Sequence, residues 1–178
     1  MSKLLNVSSS PHVRCGVSTK NLMYDVAIAM LPATIWGVMQ FGIYSLIVVV
    51  ATVLSCVLSE YLFETLMHKP VTISDGSALV TGMILGLNMP PAIPLWMPIL
   101  GGVFAIIVVK QLYGGLGQNW MNPALAARCF LLISFAGKMT TFTEPFSDAV
   151  ASATPLAQLK AGETVDVMAM FVGRIPGT

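Results

Sequence analysis

The chain has 178 residues, a formal net charge of +1, 56% hydrophobic and 10% charged residues, and a mean hydropathy of +0.81. Soluble domains carry roughly a quarter charged residues, so this composition belongs to a chain solvated by lipid and excludes a soluble enzyme. Near-neutral charge without a Lys/Arg cluster excludes a nucleic-acid groove, and Cys15, Cys56 and Cys129, with no CxxC spacing, form no zinc or iron–sulfur site in this chain.

Residues 1–20 are polar and precede the first apolar run, which argues against a signal peptide and for a cytoplasmic leader. A spanning helix needs about 20 largely apolar residues to cross roughly 30 Å of hydrocarbon. Three runs meet that length: Asn21 to Phe41, with Asp25 near its start; Ile43 to Met67, apolar until Glu60 and Glu64; and Ile93 to Tyr113, broken by Lys110 near its end. Gly76 to Met89 and Pro123 to Ala136 are shorter and rich in small residues, and suit half-helices or tightly packed tilted ones. Ser74 and Asp75 precede the first, and Asn122 with Pro123 opens the second. Gly82 and Gly86 form a GxxxG for close helix packing, and Asn88-Met89-Pro90-Pro91 ends that segment.

The predicted fold is therefore an all-α, polytopic transmembrane bundle with short or broken helices over residues 21–137, read as the N-terminal half of a repeat-built membrane subunit. Lys3, Arg14, Lys20, Lys69 and Lys110 fall on one side when all five segments cross, which makes that side the cytoplasm. Residues 138–165 then form an extracytoplasmic loop, as they also would if both short segments were re-entrant, whereas re-entry of only one would move them inside; residues 166–178 read as the truncated start of a further membrane segment.

No Ser/His/Asp grouping is placed together by spacing, so nucleophilic catalysis has no support and no catalytic residue is assigned. His12 lies in the leader, and His68 reads as an interfacial residue. Glu60 and Glu64 share one helix face; near an interface a carboxylate can snorkel, yet ionisable groups in a membrane are costly enough to be functional candidates. Glu60, Asp25 and Glu64 are the ion-coupling candidates, with Glu60, one turn deeper than Glu64, ranked first. Arg128 must snorkel, pair with a carboxylate or meet an anion. Gly114-Gly115-Leu116-Gly117-Gln118-Asn119 follows an apolar helix and reads as a tight cytoplasmic loop, not a dinucleotide fingerprint. Read from the residues alone, the stretch from Asp148 to Leu156 is a small-residue turn in which Thr154 is held extended by Pro155.

At that turn Asp148, Ser152, Ala153 and Thr154 resemble the flavin-attachment motif of the RnfD/NqrB family, membrane subunits of Rnf and Na+-translocating NADH:quinone reductase complexes. Ser10-Pro11-His12, Asp75-Gly76-Ser77-Ala78-Leu79-Val80-Thr81-Gly82, Asn88-Met89-Pro90-Pro91, the Gly114–Asn119 loop and Met121-Asn122-Pro123-Ala124 resemble the family as well, and the short leader is more like RnfD than NqrB. The resemblance implies FMN esterified through its phosphate to Thr154 by a separate flavin transferase, with Ser152, Ala153 and Asp148 forming the attachment motif. It also implies a second, noncovalent riboflavin. The implied role is an electron-carrying subunit of a ferredoxin:NAD+ oxidoreductase that moves Na+ or H+, in a bacterial cell membrane. Its implied partners are the other membrane and iron–sulfur subunits and a second FMN-carrying subunit. The rival readings are a flavin-free solute channel or transporter, a passive scaffold that only anchors redox partners and, within the family, an NqrB subunit.

Overall fold

The computed structural model describes residues 18–141 together with Gly16 and Lys160; the described residues are helices and connecting turns, with no strand among them. Most of the leader (residues 1–15 and 17), the Asp148–Leu156 stretch and the tail from 166 onward lie outside them.

Helix α1 (Thr19–Phe41) starts where the Ser18 Oγ accepts a hydrogen bond from the Asn21 N–H at 3.3 Å, a cap residue that anchors the first orphan donors. Gly42 alone separates α1 from α2 (Ile43–Leu66); its φ of 80° belongs to the left-handed region that glycine enters without strain. With 23 and 24 residues, the two helices are about 34 to 36 Å long, and both are long and apolar enough to cross a membrane. A soluble core helix of that apolarity would be mostly buried. Here only 11% of the most apolar window of α1 and 39% of that of α2 is buried.

The pattern on α2 shows what surrounds the bundle. Leu54, Leu58, Leu62 and Leu66 form a stripe at four-residue spacing and are exposed, whereas Thr52, Ser55, Cys56, Ser59, Glu60 and Glu64 are buried. Polar residues face inward and leucines outward, the reverse of a helix in water and the arrangement expected where lipid is the solvent. Thr52 Oγ1 donates to the Val48 carbonyl at 2.6 Å and Ser55 Oγ to the Ile99 carbonyl at 2.8 Å, so these small hydroxyls are satisfied inside the bundle.

After a 3-10 turn (Ile73–Asp75) the chain enters α3 (Ser77–Leu87) through Gly76, again at positive φ. The expected helix start is present: Asp75 Oδ1 accepts the Ser77 N–H at 2.8 Å. At 11 residues α3 is about 16 Å long, roughly half the hydrocarbon thickness, and it is buried on nearly every side. Gly82 and Gly86 meet α2: a Cβ on Gly82 would lie 2.6 Å from Val53 Cα, and one on Gly86 2.9 Å from Val49 Cα. The GxxxG therefore brings two backbones together. Gly82→Ala is expected to cost about 1 to 3 kcal/mol through overpacking. By contrast Gly37→Ala on α1, where a Cβ meets nothing within 4 Å, should raise stability by up to about 1 kcal/mol, because alanine loses less backbone entropy in a helix interior than glycine. Thermal unfolding of the detergent-solubilised protein reads both; equal effects would mean that the α2–α3 contact is not tight.

The next helix, α4 (Trp96–Gln111), differs from the full span expected over Ile93 to Tyr113. Pro94 biases Ile93 away from helical dihedrals, and Gly114 and Gly115 at φ 115° and 98° end the other side. Eight α-helical residues, Trp96–Val103, pass into eight π-helical ones, Phe104–Gln111. The helix thus falls short of the roughly 30 Å that a perpendicular crossing requires. Helix α5 (Pro123–Ser134) is opened as expected, with Asn122 Oδ1 accepting from the Ala124 and Leu125 N–H groups at 3.0 and 3.4 Å and Pro123 in the first turn. A last turn, α6 (Ala136–Met139), carries the packed unit past the expected boundary at 137, because Met139 is buried with Leu85, Met97 and Leu131 in the main apolar core.

Candidate functional site

The inward polar face of α2 ends in a buried cluster. Glu60 and Glu64 lie one turn apart on α2, with 0% and 2% of their surface exposed. Glu64 does not snorkel, contrary to the expectation for a carboxylate at a wet helix end. Its Oε2 accepts the Thr72 N–H at 3.0 Å, and its Oε1 accepts from the Thr72 hydroxyl and from Gln111 Nε2, the latter at 3.2 Å. The chain turns back at His68, which is exposed and left-handed at φ 51°, so the 67–76 connector folds over the end of α2 and covers Glu64.

Glu60 faces the π-helical part of α4. Lys110 Nζ donates to Glu60 Oε1 at 2.5 Å and to Ser77 Oγ at 2.6 Å, and Gln111 Nε2 donates to the same Glu60 oxygen at 3.0 Å. Ser77 Oγ in turn donates to Asp75 Oδ1 at 2.6 Å. The π geometry makes this possible. The Leu112 N–H bonds to the Ile107 carbonyl and the Gly115 N–H to that of Lys110, each five residues back. The wider turn reduces the angle between successive side chains, so neighbours Lys110 and Gln111 both reach α2. π segments are concentrated at functional sites.

The sequence places Lys110 near the end of an apolar run and counts it among cytoplasmic loop cations. The structure corrects this: Lys110 is 2% exposed and inside the bundle, so it drops out of the charge asymmetry. A cation in an apolar run is itself the signal of a buried partner, and that signal leads to Glu60. Asp75, Ser77, Gln111 and Thr72 are site residues that sequence reasoning misses, since single polar residues near helix ends read as caps.

The other expected candidates are not brought here. Asp25 is exposed on α1. Arg128 pairs with no carboxylate among the described residues: its Nη1 donates to Asn88 Oδ1 at 2.9 Å, while Asn88 Nδ2 donates to the Ile84 carbonyl at 2.8 Å, so the amide that ends α3 ties it to α5. The glycine-rich segment after α4 uses left-handed φ at Gly114, Gly115 and Gly117 and is the expected tight turn. Thr154, Ser152, Ala153 and Asp148 lie outside the described residues.

Chemically the cluster holds three carboxylates, those of Glu60, Glu64 and Asp75, against one ammonium. Glu60 Oε2 is buried without a hydrogen-bond partner among the described residues. A buried excess of negative charge is expensive in low dielectric, so such a cluster favours taking up a proton or a small cation.

Residues 6–178 match the family described as NQR2, RnfD, RnfE. Among curated relatives, the chain is 52% identical over 161 residues to the D subunit of the Na(+)-translocating ferredoxin:NAD(+) oxidoreductase complex of Acetobacterium woodii, covering 90% of this chain and 51% of that protein. It is 41% identical over 174 residues to the proton-translocating counterpart of Clostridium ljungdahlii, covering 96% and 53%. With the D subunit of the ion-translocating oxidoreductase complex of Shewanella denitrificans it shares 40% identity over 157 residues, covering 87% and 45%. The chain spans about half the length of these relatives. By a match over almost its whole length, the chain belongs to the NQR2, RnfD, RnfE family.

Proposed function

We propose that this chain is part of the RnfD-type subunit of an ion-translocating ferredoxin:NAD+ oxidoreductase complex, which carries electrons through the bacterial cell membrane and couples their flow to movement of Na+ or H+. The similarity to curated relatives of that type over nine-tenths of the chain carries this reading. The buried carboxylate cluster supports the ion-coupling part, with Glu60 as its inner member and Glu64 between Glu60 and the exposed connector.

Electron carriage rests on flavin. FMN tethered at Thr154 by a phosphoester would supply reversible one- and two-electron redox chemistry, while the polypeptide supplies placement and electrostatics. Thr154 contributes only its hydroxyl, the small neighbours Ser152 and Ala153 leave the backbone open to a flavin transferase, and Asp148 serves recognition during attachment. For a noncovalent riboflavin, which has no phosphate, an apolar cleft of about 440 Å³ between α4 and α5 is a fitting place; small-molecule sites range over roughly 300–1,000 Å³. Tyr113 and Trp120 give it aromatic walls and Asn122 a polar edge. The leader and the 67–76 connector lie on the cytoplasmic side in this reading, and the Thr154 loop lies outside the cytoplasm. The partners are the other membrane, iron–sulfur and FMN-carrying subunits.

Intact mass spectrometry of the protein matured with a flavin transferase tests the proposal. The expected increment is that of FMN less one water, located on the peptide that contains Thr154. An unmodified peptide from an active complex would overturn the flavin assignment.

A further inference from the structure

Lys110 sits in an apolar run, on a locally widened helix, at the inner end of a line of carboxylates. Its ammonium is shared between Glu60 Oε1 at 2.5 Å and Ser77 Oγ at 2.6 Å. Behind Ser77 stands the Asp75 carboxylate, which accepts from the same hydroxyl. Two anionic partners thus flank one cation, the first in direct contact and the second one hydroxyl away. The line that leads to it descends from the surface: Thr72 is exposed, Asp75 half-buried, Glu64 2% and Glu60 0% exposed. Glu60 Oε2, buried and without a partner among the described residues, is an unused oxygen at its inner end.

We infer that Lys110 is a built-in counter-cation of the ion path: it neutralises Glu60 when no coupling ion is bound, and a monovalent cation arriving through Glu64 displaces it towards Ser77 and Asp75. This rests on the ion-coupling reading above and adds to it a competitor for the site. The physical reason is charge balance. A buried carboxylate with no cation beside it would be costly, so an empty site on an inward-facing helix needs a placeholder, and a lysine on a flexible four-carbon stem is a mobile one. The charged and titratable groups that face Lys110 are Glu60, Glu64 and Cys56 on α2 and Asp75 on the turn before α3. Gln111, adjacent on α4, holds the shared Glu60 oxygen and Glu64 together, which keeps the carboxylates in place when the ammonium leaves. In this role Lys110 is a positioning residue; the ion is bound by the carboxylates.

The test uses the whole complex in proteoliposomes, with ferredoxin oxidation and ion uptake measured together. Na+ is titrated at fixed pH, and pH is titrated without added Na+, so that the two possible ions are separated. Lys110→Met removes the competitor and should lower the half-saturating ion concentration about tenfold, within the usual span of coupling effects, while maximal turnover falls because the ion is released slowly. Lys110→Arg keeps the charge, adds donors and should hold the carboxylate more firmly, raising the half-saturating concentration. Opposite shifts support the inference. Unchanged half-saturation in both variants, or a shift of both in one direction, overturns it. If Lys110→Met fails to assemble, the Arg variant decides alone: a rise supports the inference, and no rise overturns it. A wild-type complex that oxidises ferredoxin without moving either ion would instead refute the ion-coupling reading itself.

Discussion

Glu60→Ala is expected to destabilise the assembled protein by roughly 3 to 5 kcal/mol, the usual cost of removing one partner from a buried ion pair. The substitution leaves the Lys110 ammonium inside the bundle with Ser77 Oγ as its remaining acceptor, and strips Gln111 Nε2 of one of its two carboxylate acceptors. Lys110→Met should cost less, because the Glu60 carboxylate left behind keeps the Gln111 Nε2 donor, whereas the ammonium left by Glu60→Ala keeps only the Ser77 hydroxyl. Replacing both residues, Glu60→Leu with Lys110→Leu, should recover most of the loss, since apolar side chains of similar volume are often as stable as a buried pair. Thermal unfolding of the solubilised complex, compared among the wild type, the two single leucine variants and the double one, measures the coupling. Additive losses would show that the 2.5 Å contact does not hold the helices together.

How far the sequence foresees this structure is decided by the range of each interaction. Apolar run length and local capping are short-range, and α1, α2, the α3 start at Asp75 and the Asn122 cap of α5 are legible from them. The GxxxG at Gly82 and Gly86 announces a close approach, although nothing local says that α2 is the partner. The span from Ile93 to Tyr113 is overestimated because hydropathy does not register the turn that Pro94 and the left-handed glycines impose. Lys110 is misplaced for a related reason: hydropathy puts it at a helix end, and only the π register, which no local pattern marks, turns it and Gln111 towards Glu60. Depth along α2 alone ranks Glu60 above Glu64, and the structure shows both buried, Glu64 under the connector from 67 to 76 and Glu60 against Lys110 and Gln111 of α4. The flavin-attachment reading, by contrast, rests on resemblance alone, since the residue types at Asp148, Ser152, Ala153 and Thr154 are those of any small-residue turn.

Thr154→Ala is expected to abolish covalent FMN on the protein and to stop electron transfer from ferredoxin to NAD+, while the complex still assembles. The reasoning is chemical: a phosphoester needs a hydroxyl oxygen, and no other group of the side chain can replace it. Thr154→Ser keeps an oxygen at the same position and should retain part of the flavin, with the shortfall set by how closely the transferase reads the threonine methyl. A tethered flavin remains at high effective concentration, so the alanine variant should not be rescued by free FMN at concentrations that saturate ordinary flavin sites. The measurements are in-gel flavin fluorescence of the denatured chain, polypeptide composition of the purified complex, and ferredoxin-dependent NAD+ reduction. The same three readings separate the rivals. A solute channel would show no fluorescence in either protein, and a passive scaffold would keep full electron transfer in the alanine variant. Loss of fluorescence and of electron transfer with assembly intact leaves the flavin relay as the reading that accounts for all three, because that reading alone assigns the redox step to the Thr154 hydroxyl and assembly to the packed helices from α1 to α6.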